Sequence, residues 1–269
     1  MWWPVKLFLV GLSLFLGVGI VTVFIARVRY SAESVHCTNN LRVLSLTLGN
    51  YYDTYNHLPA ATIANPALVP DQRLSWYGAI APFIEQCGPG VNQSKPWNAE
   101  ENYPPTHAAG IDDPRRIRCG PIRLFQCPAN PNRGDGEVVS YTHYVGVAGV
   151  GEEIAYGPKE YPFAGVFGYD RSVSLEDIKD GPSHTLMVIE TANANGPWTR
   201  GGPSTVRALD PDRLPYLGPN GQFSSFHRPH VTHALFADGS VHALKESMDP
   251  RVFAALATIA GHEEVGDDY

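Results

Sequence analysis

Charge is scarce in this chain, and no excess of positive charge offsets the scarcity. Asp, Glu, Lys and Arg make up 17% of its 269 residues, against about 25% in an average soluble domain. The net charge of −7 excludes a generally basic nucleic-acid binder, so nucleic acid is not an expected partner. Cysteine is also sparse, and four residues suit either redox compartment. No Gly-x-Ser-x-Gly, His-Glu-x-x-His, Cys-x-x-Cys or Asp-x-Asp-x-Asp-Gly pattern occurs, which removes the strongest local signals for a serine hydrolase, a zinc site or a calcium loop. No internal repeat is evident. Proline is missing between Pro4 and Pro59, and charge is missing between residues 7 and 26. What is plentiful is Gly and Pro, 26 and 23 residues. They argue for a loop-rich body and against a helical bundle. With 43% apolar residues, there is enough to fill a core.

Residues 7–26 read LFLVGLSLFLGVGIVTVFIA. As a helix rising 1.5 Å per residue they cover about 30 Å, the thickness of a bilayer's hydrocarbon. Ser13 and Thr22 can return their hydroxyls to the helix backbone, and Trp2 and Trp3 suit the interface. Residues 1–30 are therefore expected to be a membrane anchor, with the lipid bilayer as partner. A cleaved signal peptide is the alternative, although Tyr30-Ser31-Ala32 puts a bulky side chain where a small one is wanted. Lys6 precedes the span while Arg27, Arg29 and Arg42 follow it. That count leans toward a cytoplasmic body, but long domains translocate largely regardless of it.

Beyond the span, Cys37, Leu41, Leu44, Leu48, Tyr52 and Tyr55 recur at helical spacing and predict one apolar stripe. One long helix from the membrane to His57-Leu58-Pro59 is expected; two helices joined across residues 27–33 are the alternative. A short amphipathic helix is predicted over 72–86, then a Pro-, Asn- and Gly-rich excursion over 87–135. Strands are predicted at 138–147, 165–169 and 185–189. Residues 232–237 and 240–244 read as a hairpin closed by a two-residue Asp238-Gly239 turn of type I′. Asp249 and Pro250 read as the cap and first position of a last helix. The predicted class is α+β, a long helix against an antiparallel sheet.

Several segments, in order, resemble a known family. They are Cys37-Thr-Asn-Asn-Leu-Arg, Asn50-Tyr-Tyr-Asp-Thr-Tyr, Trp76-Tyr-Gly-Ala-Ile-Ala-Pro-Phe, Pro96-Trp-Asn, Phe125-Gln-Cys-Pro, Tyr144-Val-Gly-Val-Ala-Gly, Asp180-Gly-Pro-Ser-His-Thr-Leu-Met-Val-Ile-Glu and Leu235-Phe-Ala-Asp-Gly-Ser-Val. The chain is similar over about residues 35–265 to the planctomycete-type, pilin-like domain of unknown function, whose members often begin with a prepilin segment. The resemblance implies a single-pass protein of the cell membrane with residues 31–269 as an extracytoplasmic body, periplasmic or at the cell surface. The resemblance does not itself establish a biochemical role; the leading expectation is a pilin- or pseudopilin-like, non-enzymatic one, with like helices or envelope assembly components as partners and no cofactor. Two departures stand out. His227 is followed by ten residues before Asp238-Gly239, where the family has nine, and Gly11 lacks the Glu expected five residues beyond a prepilin cleavage point.

Among candidate site residues, Asp180, Gly181, Glu190, Asp238 and Gly239 read as structural, with Glu190 accepting backbone hydrogen bonds at the end of an apolar strand. In an oxidising compartment Cys87 and Cys119 are expected to pair across the excursion, with Cys37–Cys127 as a second bridge. His227, His230, His233 and His242 crowd one segment; His233 and His242, diagonal across a two-residue hairpin, are the candidate metal ligands, but polar hairpin positions are the expected reading. Asp112, Asp113, Asp135 and Glu137 are candidate calcium ligands. Trp76, Trp97 and Trp198 support an alternative function, an envelope-anchored glycan- or peptide-binding module. A metal-dependent hydrolase built on the His227–His242 segment is a third reading.

Overall fold

The structure is a computed structural model and describes residues 2–84, 91–99, 101–102, 122–132, 141–228 and 230–261. Its longest element is helix α1, Trp3–Tyr55, continuous for 53 residues and thus about 80 Å long. The missing prolines permit this length, and the two-helix alternative does not form. An Arg29–Glu33 contact of 3.0 Å, one turn apart, spans the stretch where the break was the alternative. Thr22 returns its hydroxyl to the Val18 and Gly19 carbonyls. The helix stops at Asn56, which turns left-handed (φ 60°) and gives its N–H to the Tyr52 carbonyl at 2.7 Å.

The two halves of α1 are covered differently. Leu14, Phe15, Ile20 and Phe24 are 65–77% exposed, whereas Cys37, Leu41, Leu44 and Leu48 are at 1% or less. Tyr52 packs against the core as predicted, but Tyr55, also placed on the buried stripe, is exposed and Tyr51 packs there instead. Among the described residues α1 is the one helix long and apolar enough to cross a membrane, as a single-pass anchor or a signal sequence.

Among the described residues five strands make one sheet: β1 (Tyr144–Val150), β2 (Leu186–Glu190), β3 (Val206–Leu209), β4 (Val231–Phe236) and β5 (Val241–Lys245), in the order β3-β1-β2-β4-β5. The sheet is mixed, not antiparallel as predicted, because β3 runs parallel to β1 at one edge. Alternation along β1 feeds two cores. Tyr144 and Ala148 join Val188, Leu235 and the buried stripe of α1. Val145 and Val147 join Leu186, Ile189, Phe236 and, from helix α3 (Pro250–Leu256), Phe253 and Leu256. The Asp249 carboxylate caps α3 by accepting the Arg251 N–H at 2.8 Å. The three central strands, β1, β2 and β4, are thus buried on both faces.

Three local predictions differ from what forms. The helix expected over 72–86 is reduced to α2, Trp76–Ile80. Pro82 has no N–H to continue it, and the chain tightens into a 3₁₀ turn at Ala81–Phe83. Residues 165–169 run beside β1, with the Gly165 and Phe167 N–H groups on the Ala148 and Val147 carbonyls, but make no regular strand. The Arg171 guanidinium instead takes the carbonyls of Ala148, Ile154, Gly157, Gly165 and Phe167 at 2.7–3.1 Å. The predicted strand 138–147 begins only at Tyr144; residues 138–140 lie outside the described residues.

The hairpin also differs from its prediction. Leu235 pairs with Val241 and Ala234 with His242, so the loop has three residues beyond the Phe236–Ser240 contact. Gly239 alone in this loop has positive φ, 88°, whereas a type I′ turn needs it at Asp238 as well. The arrangement is a type I turn followed by a left-handed glycine. Asp238 secures it by accepting the Ser240 N–H at 2.8 Å. A Cβ at Gly239 would also stand 2.8 Å from Ser45 Oγ on α1. Gly239→Val should therefore destabilise the protein by about 1–3 kcal/mol. Chemical denaturation of the full chain in mild detergent checks this; an unchanged midpoint would count against it.

Candidate functional site

Where the buried half of α1 begins, four segments bring polar side chains into the first core. Cys37 comes from α1, Cys127 from the loop after the 3₁₀ turn Arg123–Phe125, Glu190 from the end of β2, and His227 from the chain leading into β4. All four are buried, and their sulfur, oxygen and nitrogen atoms lie within 4.8 Å of one another. The Cys37 and Cys127 sulfurs are 2.8 Å apart, and Cys37 Sγ is 3.9 Å from Glu190 Oε1. His227 Nε2 is 3.1 Å from Glu190 Oε1 and 3.3 Å from Cys127 Sγ.

Glu190 and Cys127 are held from behind, whereas His227 Nδ1 is buried and has no hydrogen-bond partner among the described residues. The other Glu190 oxygen, Oε2, accepts from the His233 backbone N–H at 3.3 Å and from His233 Nδ1 at 3.0 Å. His233 Nε2 meets the Ser34 hydroxyl at 2.9 Å, which links β4 to α1. Oε1 is thereby left for His227 and the cysteines. The Cys127 N–H donates to His143 Nδ1 at 2.9 Å, while His143 Nε2 donates to the Asn132 carbonyl at 2.7 Å. Asn40 ties the same loop to α1 through the Gln126 carbonyl at 2.9 Å, and also donates to the Tyr144 hydroxyl at 3.3 Å. That hydroxyl lies against Cys37.

Electrostatically the core of this cluster is an ion pair. Burial alone would raise the Glu190 carboxyl, but hydrogen bonds and charge from His227 and His233 outweigh it and bring it down to about 2. Burial would lower His227, yet its contacts with Cys127 and Glu190 lift it to about 10. The Cys127 thiol is pushed well above its ordinary range, chiefly by burial. Such a site holds its charges through mutual contact rather than through water.

The other predicted site residues are dispersed. Cys37 and Cys127 meet, but as free thiols and not as the expected bridge; both sulfurs also face the ion pair. Cys87 and Cys119, with Asp112, Asp113, Asp135 and Glu137, lie outside the described residues. His233 and His242 do not converge. The three-residue loop shifts the register by one, so His242 shares a face with Ala234 and packs on Phe236, opposite His233. Asp180 fastens the end of α3's segment, accepting from Thr258 Oγ1 at 3.2 Å and the Gly261 N–H at 2.8 Å, beside Gly181 at φ 93°. Ser183 and His184 sit on the 3₁₀ turn Pro182–His184 and meet at 3.1 Å. Trp76 and Trp198 are core residues, 0% and 1% exposed, with no face free for a sugar. Trp97 lies under the Arg200 guanidinium. Sequence reasoning missed Ser34, Asn40, His143 and Tyr144. Asn40 and Tyr144 carried a signal, Asn40 one turn beyond Cys37 in the same motif and Tyr144 as the first residue of another.

No curated protein and no solved structure matches the chain. A family profile described as a protein of unknown function, DUF1559, matches residues 27–209. The match takes in Cys37, Cys127 and Glu190 and ends before His227. The chain belongs to this family of unknown function.

Proposed function

We propose that the protein is a membrane-anchored, non-enzymatic, pilin- or pseudopilin-like component of the cell envelope. Its body is held outside the cytoplasm, and its apolar half-helix packs against like helices or envelope assembly components. The supporting observation is the change of cover along one continuous helix, bare and apolar through Phe24, buried against the sheet from Cys37. So large a contiguous apolar surface is not stable in water and needs lipid or other helices around it.

Photocrosslinking residues placed at Phe15 and Phe24 of the full chain in its native membrane test the reading. Crosslinks between copies, or to another envelope helix, are expected. Crosslinks to lipid alone would leave a plain anchor and reject the pilin-like part. The full chain should also stay with the membrane through a carbonate wash, and its body should be cut by protease added outside the inner membrane. Release in the wash, or protection of the body, would overturn the anchoring or the orientation respectively.

A further inference from the structure

We propose that Cys37, Cys127, Glu190 and His227 form a closed, four-coordinate site for a soft divalent cation, Zn²⁺ above all, which fastens helix α1 to the sheet. Two sulfurs, an imidazole nitrogen and a carboxylate oxygen are a donor set that suits Zn²⁺ and disfavours Mg²⁺ and Ca²⁺. Ligand atoms bound tetrahedrally to zinc stand roughly 3.3–3.8 Å apart. Cys127 Sγ to His227 Nε2 at 3.3 Å, His227 Nε2 to Glu190 Oε1 at 3.1 Å and Cys37 Sγ to Glu190 Oε1 at 3.9 Å surround such a centre. The sulfurs, at 2.8 Å, must part by about 1 Å, within reach of small χ1 rotations.

Support behind the donors argues for a ligand more strongly than their proximity does. Metal sites orient their ligands through an outer layer of hydrogen bonds. Here one Glu190 oxygen is fixed by two N–H groups of His233, which aims the other into the cluster. His143 fixes the backbone of Cys127, and the Tyr144 hydroxyl can donate to a Cys37 thiolate. On binding, each thiol and the His227 imidazolium gives one proton to solvent, while Glu190 binds as the carboxylate. The two thiolates and the carboxylate outweigh the metal by one negative charge, which the hydrogen bonds from His233 and Tyr144 disperse. All four ligands are buried, so no coordination position is left open to water. The site thus fastens the fold and does not support the hydrolase reading.

The test uses the full chain, purified from membranes in mild detergent without added thiol. Non-reducing peptide mapping comes first, and a Cys37–Cys127 disulfide at this stage overturns the proposal. If the thiols are free, the chain is stripped with chelator, kept reduced with a phosphine and titrated with Co²⁺. One equivalent should produce tetrahedral d–d bands and a thiolate-to-cobalt charge-transfer band, both bleached by stoichiometric Zn²⁺. Absence of the charge-transfer band overturns the proposal, and the unmodified chain suffices for this reading if a cysteine variant fails to fold. Cys127→Ser should weaken that band by about half. His233→Ala should keep the bands but lower affinity by about 10–100-fold, as loss of an outer-layer partner does.

Discussion

Replacing Glu190 with alanine should cost about 3–5 kcal/mol of stability, among the largest effects of any single change in this protein. The substitution leaves His227 charged and buried without its counter-ion, and strips the His233 Nδ1 and backbone N–H of their acceptor. Glu190→Gln keeps the shape but brings an amide donor into a ring of donors, and should cost about 1–3 kcal/mol. Denaturant unfolding of the full chain, followed through the buried Trp76 and Trp198, reads both. A Gln variant as stable as the parent would show that the carboxylate charge is not what His227 requires.

The same pair sets a pH profile for the metal-free chain. Glu190 titrates near 2 when folded, below its ordinary 4.5, so its contribution is whole above pH 4.5 and fades as pH falls toward 2. His227 titrates near 10 when folded, above its ordinary 6.5, so its contribution is whole below pH 6.5 and is lost as pH climbs toward 10. Melting temperature should accordingly be highest between pH 4.5 and 6.5. Glu190→Ala should flatten both limbs.

Arg171→Met should cost about 3 kcal/mol or more, since it withdraws the donor from five carbonyls at once. Burial lowers this guanidinium to about 10, which leaves it charged at neutral pH. Arg171→Lys should recover little, because an ammonium has three donors and no planar fork. Limited proteolysis should then find new cuts within residues 152–169. A lysine variant with parental stability and no new cuts would mean that charge alone, not the fork, organises this loop.

Some of this was legible in the sequence because its cause is local. The uninterrupted α1 follows from absent proline and helical apolar spacing, and the Asp249 cap from its side chain and Pro250. Other features have tertiary causes. Strand β3 is four residues at an edge, partnered in parallel with a segment some sixty positions earlier, and no periodicity announces it. Asp238-Gly239 revealed the hairpin but not its loop length, and one extra residue sends His233 and His242 to opposite faces. In the site, Glu190 stood out as a carboxylate ending an apolar strand, and the cysteines as motif positions. That Cys37, Cys127, Glu190 and His227 share one point depends on the path of four separate segments. Local ligand spacing, the usual signal for a metal, is lacking here.

An unbroken α1 removes any swivel between its bare apolar half and the body. Helices of this kind bend gently rather than pivot, and the Arg29–Glu33 contact spans the segment where a joint would sit. The face carrying Cys37, Leu41, Leu44 and Leu48 is committed to the sheet. In the proposed packing, the compass bearing of the body about the helix axis would therefore be set by whichever face of the same rod met its neighbours. Torque applied at Phe15 would arrive undiminished at Leu48. Copies packed side by side would then display their bodies at fixed angular intervals, an order imposed by the backbone itself.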